Sequence, residues 1–242
     1  MYIDASKLHY RELNELIRKA AKDGVEKICI ENVNGQRYIA AGLRENVYIE
    51  IKGVPGNDLA VFMDGPEIIV KNNAQDGIGN TMNGGTVVVH GHGGDVIGYG
   101  MRGGRIFILG DAGYRTGIHM KGYMDRQPVI IIGGRVGDFC AEYMAGGLMV
   151  LLDLEERGDV AGNYLGTGMH GGAIFVRGDI NRKKCGVEVG ILEPEENDMI
   201  LLKRHLEDFC RYFNISINEL LSKPFIKLVP VSSRPYGNLY CY

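Results

Sequence analysis

Two stretches of the chain match GxGxxG, the glycine pattern of a dinucleotide-binding loop. They lie at residues 98–103 (GYGMRG) and 166–171 (GTGMHG). Such a loop binds pyrophosphate where it opens a helix, because the helix N-terminus supplies free amide groups and a positive dipole. Each match here runs instead into a short apolar stretch, IFI or IFV, that is typical of a β-strand. The two matches therefore predict no nucleotide site and belong to a longer glycine repeat.

Imidazole and carboxylate side chains recur near the turns of this repeat. His90 and His92 have the same strand parity, and Asp95 is the one nearby carboxylate. A zinc site needs at least three protein ligands, and no third ligand recurs at a facing position, so we predict a solvent-exposed turn. Asp76, Asp95 and Asp138 form a column of acids, as in some β-helix polysaccharide lyases and hydrolases. Their regular place in the repeat indicates a turn-forming role instead of paired-carboxylate catalysis.

The five cysteines are scattered along the chain: Cys29, Cys140, Cys185, Cys210 and Cys241. None forms a CxxC pair, so the spacing predicts neither a disulfide framework nor a zinc or iron–sulfur site. We expect them to be small apolar side chains in a reducing compartment. No nucleophile–histidine–acid arrangement stands out either. The sequence thus predicts no catalytic, cofactor-binding or metal-binding residue, and no bound cofactor.

Composition excludes several classes of partner. Over 242 residues the net charge is −3, which does not suit a protein that binds a phosphate backbone. No stretch approaches the roughly 20 apolar residues of a membrane helix, and residues 1–15 do not resemble a signal peptide. We therefore expect a cytoplasmic protein with neither nucleic acid nor a membrane as its partner.

Glycine is the unusual residue of this chain, with 36 copies, about twice the ordinary share. The glycines belong to a repeat anchored on methionines that are 19, 19, 19, 24 and 25 residues apart. The anchors are Met63, Met82, Met101, Met120, Met144 and Met169. The consensus is Asx-x-x-small-x-x-Met-x-Gly-Gly-x, followed by an apolar strand. Counting back 19 residues from Met63 places a further anchor at Arg44 and gives seven coils.

One short strand in each coil of about 19 residues leaves no room for crossover helices and predicts a parallel β-solenoid. In such a rod, like residues stack about 4.8 Å apart from coil to coil. We expect the methionines to point inward, the Gly-Gly pair to take positive φ, and the Asx side chains to bond their own backbone. The residue after each anchor, such as Arg102, should face solvent.

The strands are apolar on both faces, so both faces of the sheet must be covered. The outward column includes Val88, Phe107, Val150 and Phe175. Residues 197–213 carry an apolar stripe at helical spacing, formed by Leu202, Leu206, Phe209 and Phe213. We therefore expect this helix, with the short helix that follows it, to lie along the outer face of the sheet; a partner subunit is the alternative cover.

The N-terminal end of the rod is predicted to carry a cap, residues 1–42. A strand at 25–30 and an Asn34-Gly35 turn lead into the first coil. They follow an amphipathic helix at 6–22, whose apolar face consists of Leu13, Leu16, Ile17 and Ala20.

The C-terminal end is predicted to continue beyond the helix that covers the sheet. Ser216 and Glu219 have the spacing of a capping box and predict a second, short helix. From Pro224 on we expect an extended tail. The predicted organisation is the N-terminal cap, a β-helix at 43–192, and helices with a tail at 193–242, all in one structural unit.

Two segments of the repeat carry a resemblance to a known family. They are residues 137–147 (GDFCAEYMAGG) and 162–172 (GNYLGTGMHGG). Both resemble the GXGXG domain found at the C-terminus of the glutamate synthase large subunit. The same domain forms one whole subunit of formylmethanofuran dehydrogenase. The resemblance covers roughly residues 40–180.

The two ends of the chain refine the resemblance. Residues 201–214, 217–221 and 225–230 resemble the closing helices and final strand of glutamate synthase. The opening helix is similar to freestanding archaeal and thermophile versions, in which glutamate synthase is split into separate chains.

The resemblance implies a mainly β, single-stranded, right-handed β-helix that has no chemistry of its own. It implies a structural subunit of a split glutamate synthase, an oxidoreductase complex of nitrogen metabolism that makes glutamate from glutamine and 2-oxoglutarate. A glutaminase chain and an FMN/iron–sulfur synthase chain would then be the partners. The GXGXG subunit of a formylmethanofuran dehydrogenase, or of another amidotransferase-linked oxidoreductase, is the alternative, and a carbohydrate-active β-helix is a third.

Overall fold

A computed structural model describes residues 1–233 as a right-handed parallel β-helix with helices at both ends. Residues 234–242, which include Cys241 and the end of the predicted tail, lie outside the described residues. The elements are β1 (Tyr2–Asp4), α1 (Tyr10–Lys22), β2 (Lys27–Asn34), β3 (Tyr48–Val54), β4 (Asp64–Val70), β5 (Gly84–Val89), β6 (Arg105–Ile108), β7 (Val129–Ile132), β8 (Ala145–Leu151), β9 (Gly171–Arg177), a 3-10 turn (Arg182–Lys184), β10 (Val189–Leu192), α2 (Glu196–Phe213), α3 (Ile217–Leu221) and β11 (Phe225–Pro230).

All the strands belong to one sheet, in the order β1-β2-β3-β4-β5-β6-β7-β8-β9-β11-β10. The strands from β1 to β9 pair in parallel, and each pair from β2 onward is one coil of the rod. At the far end β11 runs antiparallel between β9 and β10. The predicted fold class, a mainly β single-stranded β-helix, is confirmed.

Seven anchor side chains form a ladder inside the rod. We number the coils 1 to 7 in the order of their anchors. The six predicted methionines are all fully buried. The first anchor is Leu43, which is buried, and the prediction of Arg44 is wrong because Arg44 is exposed. The Leu43 amide donates to Ala40 O (3.2 Å) just as the Met63 amide donates to Ala60 O (3.1 Å). Coil 1 is therefore one residue longer than the repeat predicts.

In the turn before each anchor, residues in the left-handed backbone conformation alternate with residues in other conformations. In coil 4, φ is 52° at Val96, 66° at Gly98 and 57° at Gly100. The same three positions, which are five, three and one residues before the anchor, have positive φ in every coil. A left-handed residue carries no penalty when it is glycine, which explains the recurring G-x-G. The alternation turns the residues four and three before the anchor into the core.

The Gly-Gly pair after the anchor has two different roles. Gly104 and Gly147 have φ of 84° and 89°, whereas the first glycine of each pair, Gly103 or Gly146, is not left-handed. A Cβ on Gly146 would lie 2.8 Å from the amide nitrogen of Gly122 in the preceding coil. The prediction of positive φ holds for the second glycine, and the first is needed for close approach between coils.

The three aspartates of the Asx column bond the next coil instead of their own backbone, so the prediction is wrong for them. Asp76 Oδ1 accepts the amide of Asp95 (2.9 Å), and Asp95 Oδ1 accepts the amide of Tyr114 (2.8 Å). Asp138 Oδ1 likewise accepts the amide of Asn163 at 2.7 Å. The neighbouring coil is only about 4.8 Å away, so its N–H is within reach of a short side chain.

The N-terminal cap differs from the prediction in its details. The helix α1 begins at Tyr10, because His9 and Glu12 form a capping box there. Leu16 is exposed, and Asn14 and Ala21 are buried on the helix face in its place. The strand β1, which the sequence did not predict, extends the sheet by pairing with β2.

The C-terminal helix α2 covers the outer face of the sheet, as predicted. Leu202, Leu206 and Phe209 are fully buried. They form a second core with the outward column of the sheet, in which the rings of Phe107 and Phe209 meet edge to face at 6.0 Å. Phe213 packs against the same core but is only partly buried.

The segment after α2 corrects two further predictions. The helix α3 follows Ser216, but the Ser216 side chain makes no capping hydrogen bond, so there is no capping box. The chain after Pro224 is not a tail at first, because β11 enters the sheet between β9 and β10 and buries Leu228. The resemblance had implied such a final strand.

Candidate functional surface

Both GxGxxG matches lie in the turns of the β-helix. Gly98, Gly100, Gly166 and Gly168 occupy left-handed positions of coils 4 and 7. The first match leads into β6 and the second into β9, as the apolar stretches predicted. Their glycines are explained by the backbone of the turn and do not lie at a helix N-terminus.

His90 and His92 have separate surroundings. The Nε2 atom of His90 is 3.2 Å from Lys71 Nζ, and its ring meets the edge of Phe213 at 5.2 Å. Burial and the charge of Lys71 lower the pKa of His90. His92 Nδ1 instead accepts the amide of Asp111 at 2.9 Å. Within residues 1–233, no group of three histidine, cysteine, aspartate or glutamate side chains is placed to hold a metal ion.

The four cysteines in the described part of the chain are free thiols. Cys140 is fully buried, with its Sγ 3.1 Å from Met149 Sδ, and burial raises its pKa far above the ordinary value. Burial also raises the pKa of Cys210, which packs beneath α2. A thiol with a raised pKa is a poor nucleophile, because the thiolate is the reactive form. These two cysteines act as small apolar side chains.

A half-open cleft of about 570 Å³ lies between α2 and the Gly-Gly edge of coils 5 to 7. Its floor is mainly apolar and includes Val129, Leu148 and Phe175. Its polar wall consists of His205 on α2 and the ion pair of Asp198 with Lys227, whose Nζ is 2.7 Å from Asp198 Oδ1. We call this cavity the α2 cleft.

The polar wall of the α2 cleft ties α2 to the last strand. Burial would raise the pKa of Asp198, but the hydrogen bonds from Lys227 Nζ and the Glu195 amide leave that pKa below its ordinary value. Within residues 1–233, the buried Nδ1 atom of His205 has no hydrogen-bond partner. Burial, together with the charge of Arg204, lowers the pKa of His205.

We expect α2 to become less firmly docked in mild acid because of His205. Its folded pKa lies below the ordinary value of 6.5, so the unfolded chain binds the proton more tightly. The free energy of unfolding is then highest above about pH 6.5 and decreases as the pH falls through that value toward the lower folded pKa. Arg105 opposes the charged form and Asp208 favours it, with the net effect downward.

Urea unfolding between about pH 7.5 and 5 measures this effect. His205→Gln should reduce the fall in the free energy of unfolding toward low pH. Part of this fall should remain, because the pKa of His90 is lowered too. Lys203→Gln, an exposed residue two positions before His205 on α2, is the matched control and should leave the slope of the profile unchanged. An unaltered profile in His205→Gln would contradict the prediction.

Several polar contacts at α2 had no signal in the sequence. Arg105 Nη1 donates to Asp208 Oδ2 at 2.6 Å across 103 residues of chain. Tyr212 OH donates to Glu67 Oε1 at 3.1 Å across 145 residues. Charge patterning identifies pairs three or four residues apart on one helix, so it does not detect contacts between distant elements.

The turns of the coils form a further surface, on which aromatic rings stack. The rings of His119 and Tyr143 are parallel at 5.3 Å, and those of Phe139 and Tyr164 at 4.8 Å. Arg115 lies over the ring of Phe139 at 4.9 Å. We call this surface the turn face and define it as the residues five, two and one before each anchor.

None of the helices within residues 1–233 has the length and apolar character needed to cross a membrane.

Comparison with known proteins identifies the family. The model of the GXGXG motif family matches residues 25–231. An uncharacterized protein of Methanocaldococcus jannaschii is 51% identical over 248 residues, which cover 98% of this chain and 95% of that protein. In a crystal structure of the formyltransferase/hydrolase complex of Methylorubrum extorquens with methylofuran, one chain has the same fold: the TM-score is 0.62 at 21% identity, over 90% of this chain and 86% of that one. The chain therefore belongs to the GXGXG motif family.

Proposed function

We propose that this chain is a non-catalytic assembly subunit of a multi-subunit enzyme complex whose chemistry is carried by partner chains. The observation that carries the proposal is that the acidic side chains of the repeat bind backbone amides and so have a structural role. Asp76, Asp95 and Asp138 each accept a backbone amide of the following coil. Asp111 does the same with the Arg135 amide at 2.8 Å. A carboxylate held in this way joins two coils and stiffens the rod, which suits a scaffold.

The structural neighbour supports a complex similar to the one to which it belongs. That chain belongs to a formyltransferase/hydrolase complex, and it shares the β-helix over most of its length. In this proposal the protein is a scaffold comparable to the GXGXG subunit of formylmethanofuran dehydrogenase, or to the equivalent part of another amidotransferase-linked oxidoreductase. The partners are then other protein chains of the complex, and the scaffold itself holds no cofactor.

A split glutamate synthase is the second candidate, and the C-terminal elements favour it. The helices α2 and α3 and the strand β11 follow the β-helix in the order that the resemblance to glutamate synthase implies. In that assembly the partners are a glutaminase chain and an FMN/iron–sulfur synthase chain.

Isolation of the native complex distinguishes the two assemblies. A tagged chain is purified from the source organism, with an untagged strain as the control. The eluate is assayed for glutamate formation from glutamine and 2-oxoglutarate, and for formyl transfer. We expect one of these activities in the complex and neither in the purified chain, which should be colourless. A flavin or iron–sulfur absorbance that stays with the purified chain after desalting, or turnover by that chain alone, would overturn the proposal.

A further inference from the structure

The turn face has the composition of a protein interface. It comprises 21 positions in seven coils, and only Asp58, Arg115 and Glu142 among them are charged, whereas 24% of the whole chain is charged. Arg115 and Glu142 also neutralise each other, with Arg115 Nε 3.0 Å from Glu142 Oε2. Depletion of charge together with enrichment of tyrosine, phenylalanine and arginine distinguishes the core of an interface from ordinary surface.

Large aromatic side chains on this face are exposed to solvent. Phe62 is 56% exposed, Tyr164 55% and Tyr99 42%. Tyr38 and Tyr143 are exposed as well. A continuous apolar patch on an isolated chain marks a surface that is covered in the functional state. The helix α2 does not serve this purpose, because its buried side chains pack on the outer face of the sheet, in a core that includes no residue of the turn face.

Five of the six phenylalanine and tyrosine side chains on the turn face are arranged symmetrically about coil 4. Tyr38 of coil 1 and Tyr164 of coil 7 both lie five residues before their anchors. Phe62 of coil 2 and Tyr143 of coil 6 both lie one residue before theirs. Tyr99 lies in coil 4 itself. Because the coils are stacked at a regular spacing of about 4.8 Å, a two-fold axis through coil 4 brings each position opposite its equivalent.

We propose that the turn face binds a second copy of this chain in an antiparallel, two-fold symmetric dimer. The axis lies in the interface, perpendicular to the rod, and passes through coil 4. Coil 1 then faces coil 7, coil 2 faces coil 6, and Tyr99 faces its own equivalent. A two-fold interface requires such a self-complementary surface. The aromatic pairs that meet across it are of the kind that stabilises protein contacts.

The charges on the face are complementary in the same arrangement. Asp58 of coil 2 lies five residues before its anchor and faces the equivalent position of coil 6, Phe139. The guanidinium of Arg115 rests over the Phe139 ring. Each Asp58 carboxylate therefore lies near an Arg115 side chain of the second copy, which Asp58 shares with Glu142, and this contact forms twice. In a parallel arrangement each coil would face its own equivalent with the lateral order reversed, so Tyr38, Phe62 and Tyr164 would face Gly42, Asp58 and Gly168 and not another aromatic side chain.

Sedimentation of the purified full-length chain at about 5 to 200 µM tests the proposal, a range that covers weak interfaces of modest size. We expect a concentration-dependent dimer whose dissociation constant rises at least tenfold in Phe62→Lys. Leu201→Lys, an exposed residue on α2, is the matched control and should leave it unchanged. A wild-type chain that is monomeric throughout would overturn the proposal, and so would a dimer that Phe62→Lys does not weaken.

A cysteine at the two-fold axis gives an independent test of the geometry. With Cys29, Cys185 and Cys241 replaced by serine, Tyr99→Cys should form a covalent dimer on mild oxidation. Tyr164→Cys alone should not, but a mixture of Tyr164→Cys and Tyr38→Cys chains should cross-link. Cross-linking of Tyr164→Cys alone, or none at Tyr99→Cys, would overturn the antiparallel arrangement. These tests use the purified chain, so they do not depend on the proposed complex.

Discussion

A chain that ends after Glu193 is expected to aggregate, because it loses α2, α3 and β11 together. The outer face of the sheet, with Val88, Phe107, Val150 and Phe175, would then be bare. Soluble monomers rarely expose a continuous apolar patch of more than a few hundred Å². Each fully buried leucine or phenylalanine that α2 contributes stabilises the fold by about 1.5 to 3 kcal/mol. Three such side chains amount to a large part of an ordinary folding free energy of about 5 to 15 kcal/mol.

Light scattering and binding of a hydrophobic dye measure this outcome. Both signals should rise strongly in the truncated chain, and the peak of the soluble full-length species should be lost in size-exclusion chromatography. A chain that ends after Ser233 is the matched control, since it keeps every element of the described fold. A truncated chain that remains soluble, elutes without aggregates and does not bind dye would show that α2 is not needed to cover the sheet.

The periodic part of the fold could be predicted because its cause is local and repeated. A methionine or glycine that recurs every 19 residues indicates a stack, since only a coil that closes on itself brings those copies together. The apolar stripe of α2 was predictable for a similar reason: a sheet that is apolar on both faces needs a cover of matching length. These inferences depend on patterns along the chain and not on the identity of single contacts.

Features that depend on contact between coils could not be predicted in the same way. The Asp76 carboxylate can reach either its own turn or the amide of Asp95 in the next coil, and spacing alone does not decide between them. The first anchor was missed because coil 1 has one extra residue, so Leu43 and not Arg44 points inward. The cleft beside His205 arises from the packing of a distant helix on the sheet, which no repeat encodes.

Gly104→Val should destabilise the chain by more than about 2 kcal/mol, because two separate costs combine at this position. The first is backbone strain, since a β-branched residue is forced into a left-handed conformation with φ of 84°. The second is steric, since a Cβ at Gly104 would lie 2.8 Å from the carbonyl oxygen of Gly85 and 2.6 Å from Met82 Cε. The backbone of the neighbouring coil cannot yield without disturbing the stack.

Gly178→Val separates the two costs, because Gly178 has the same φ of 84° but, among the described residues, no atom within 4 Å of the place that a Cβ would take. It should cost about 1 to 2 kcal/mol from backbone strain alone. Arg102→Ala, an exposed residue two positions before Gly104, should change stability by no more than about 0.5 kcal/mol. Urea midpoints for the three variants give the order directly. If Gly104→Val and Gly178→Val unfolded at the same midpoint, close approach between coils would contribute nothing, and the glycine would be needed for its backbone conformation only.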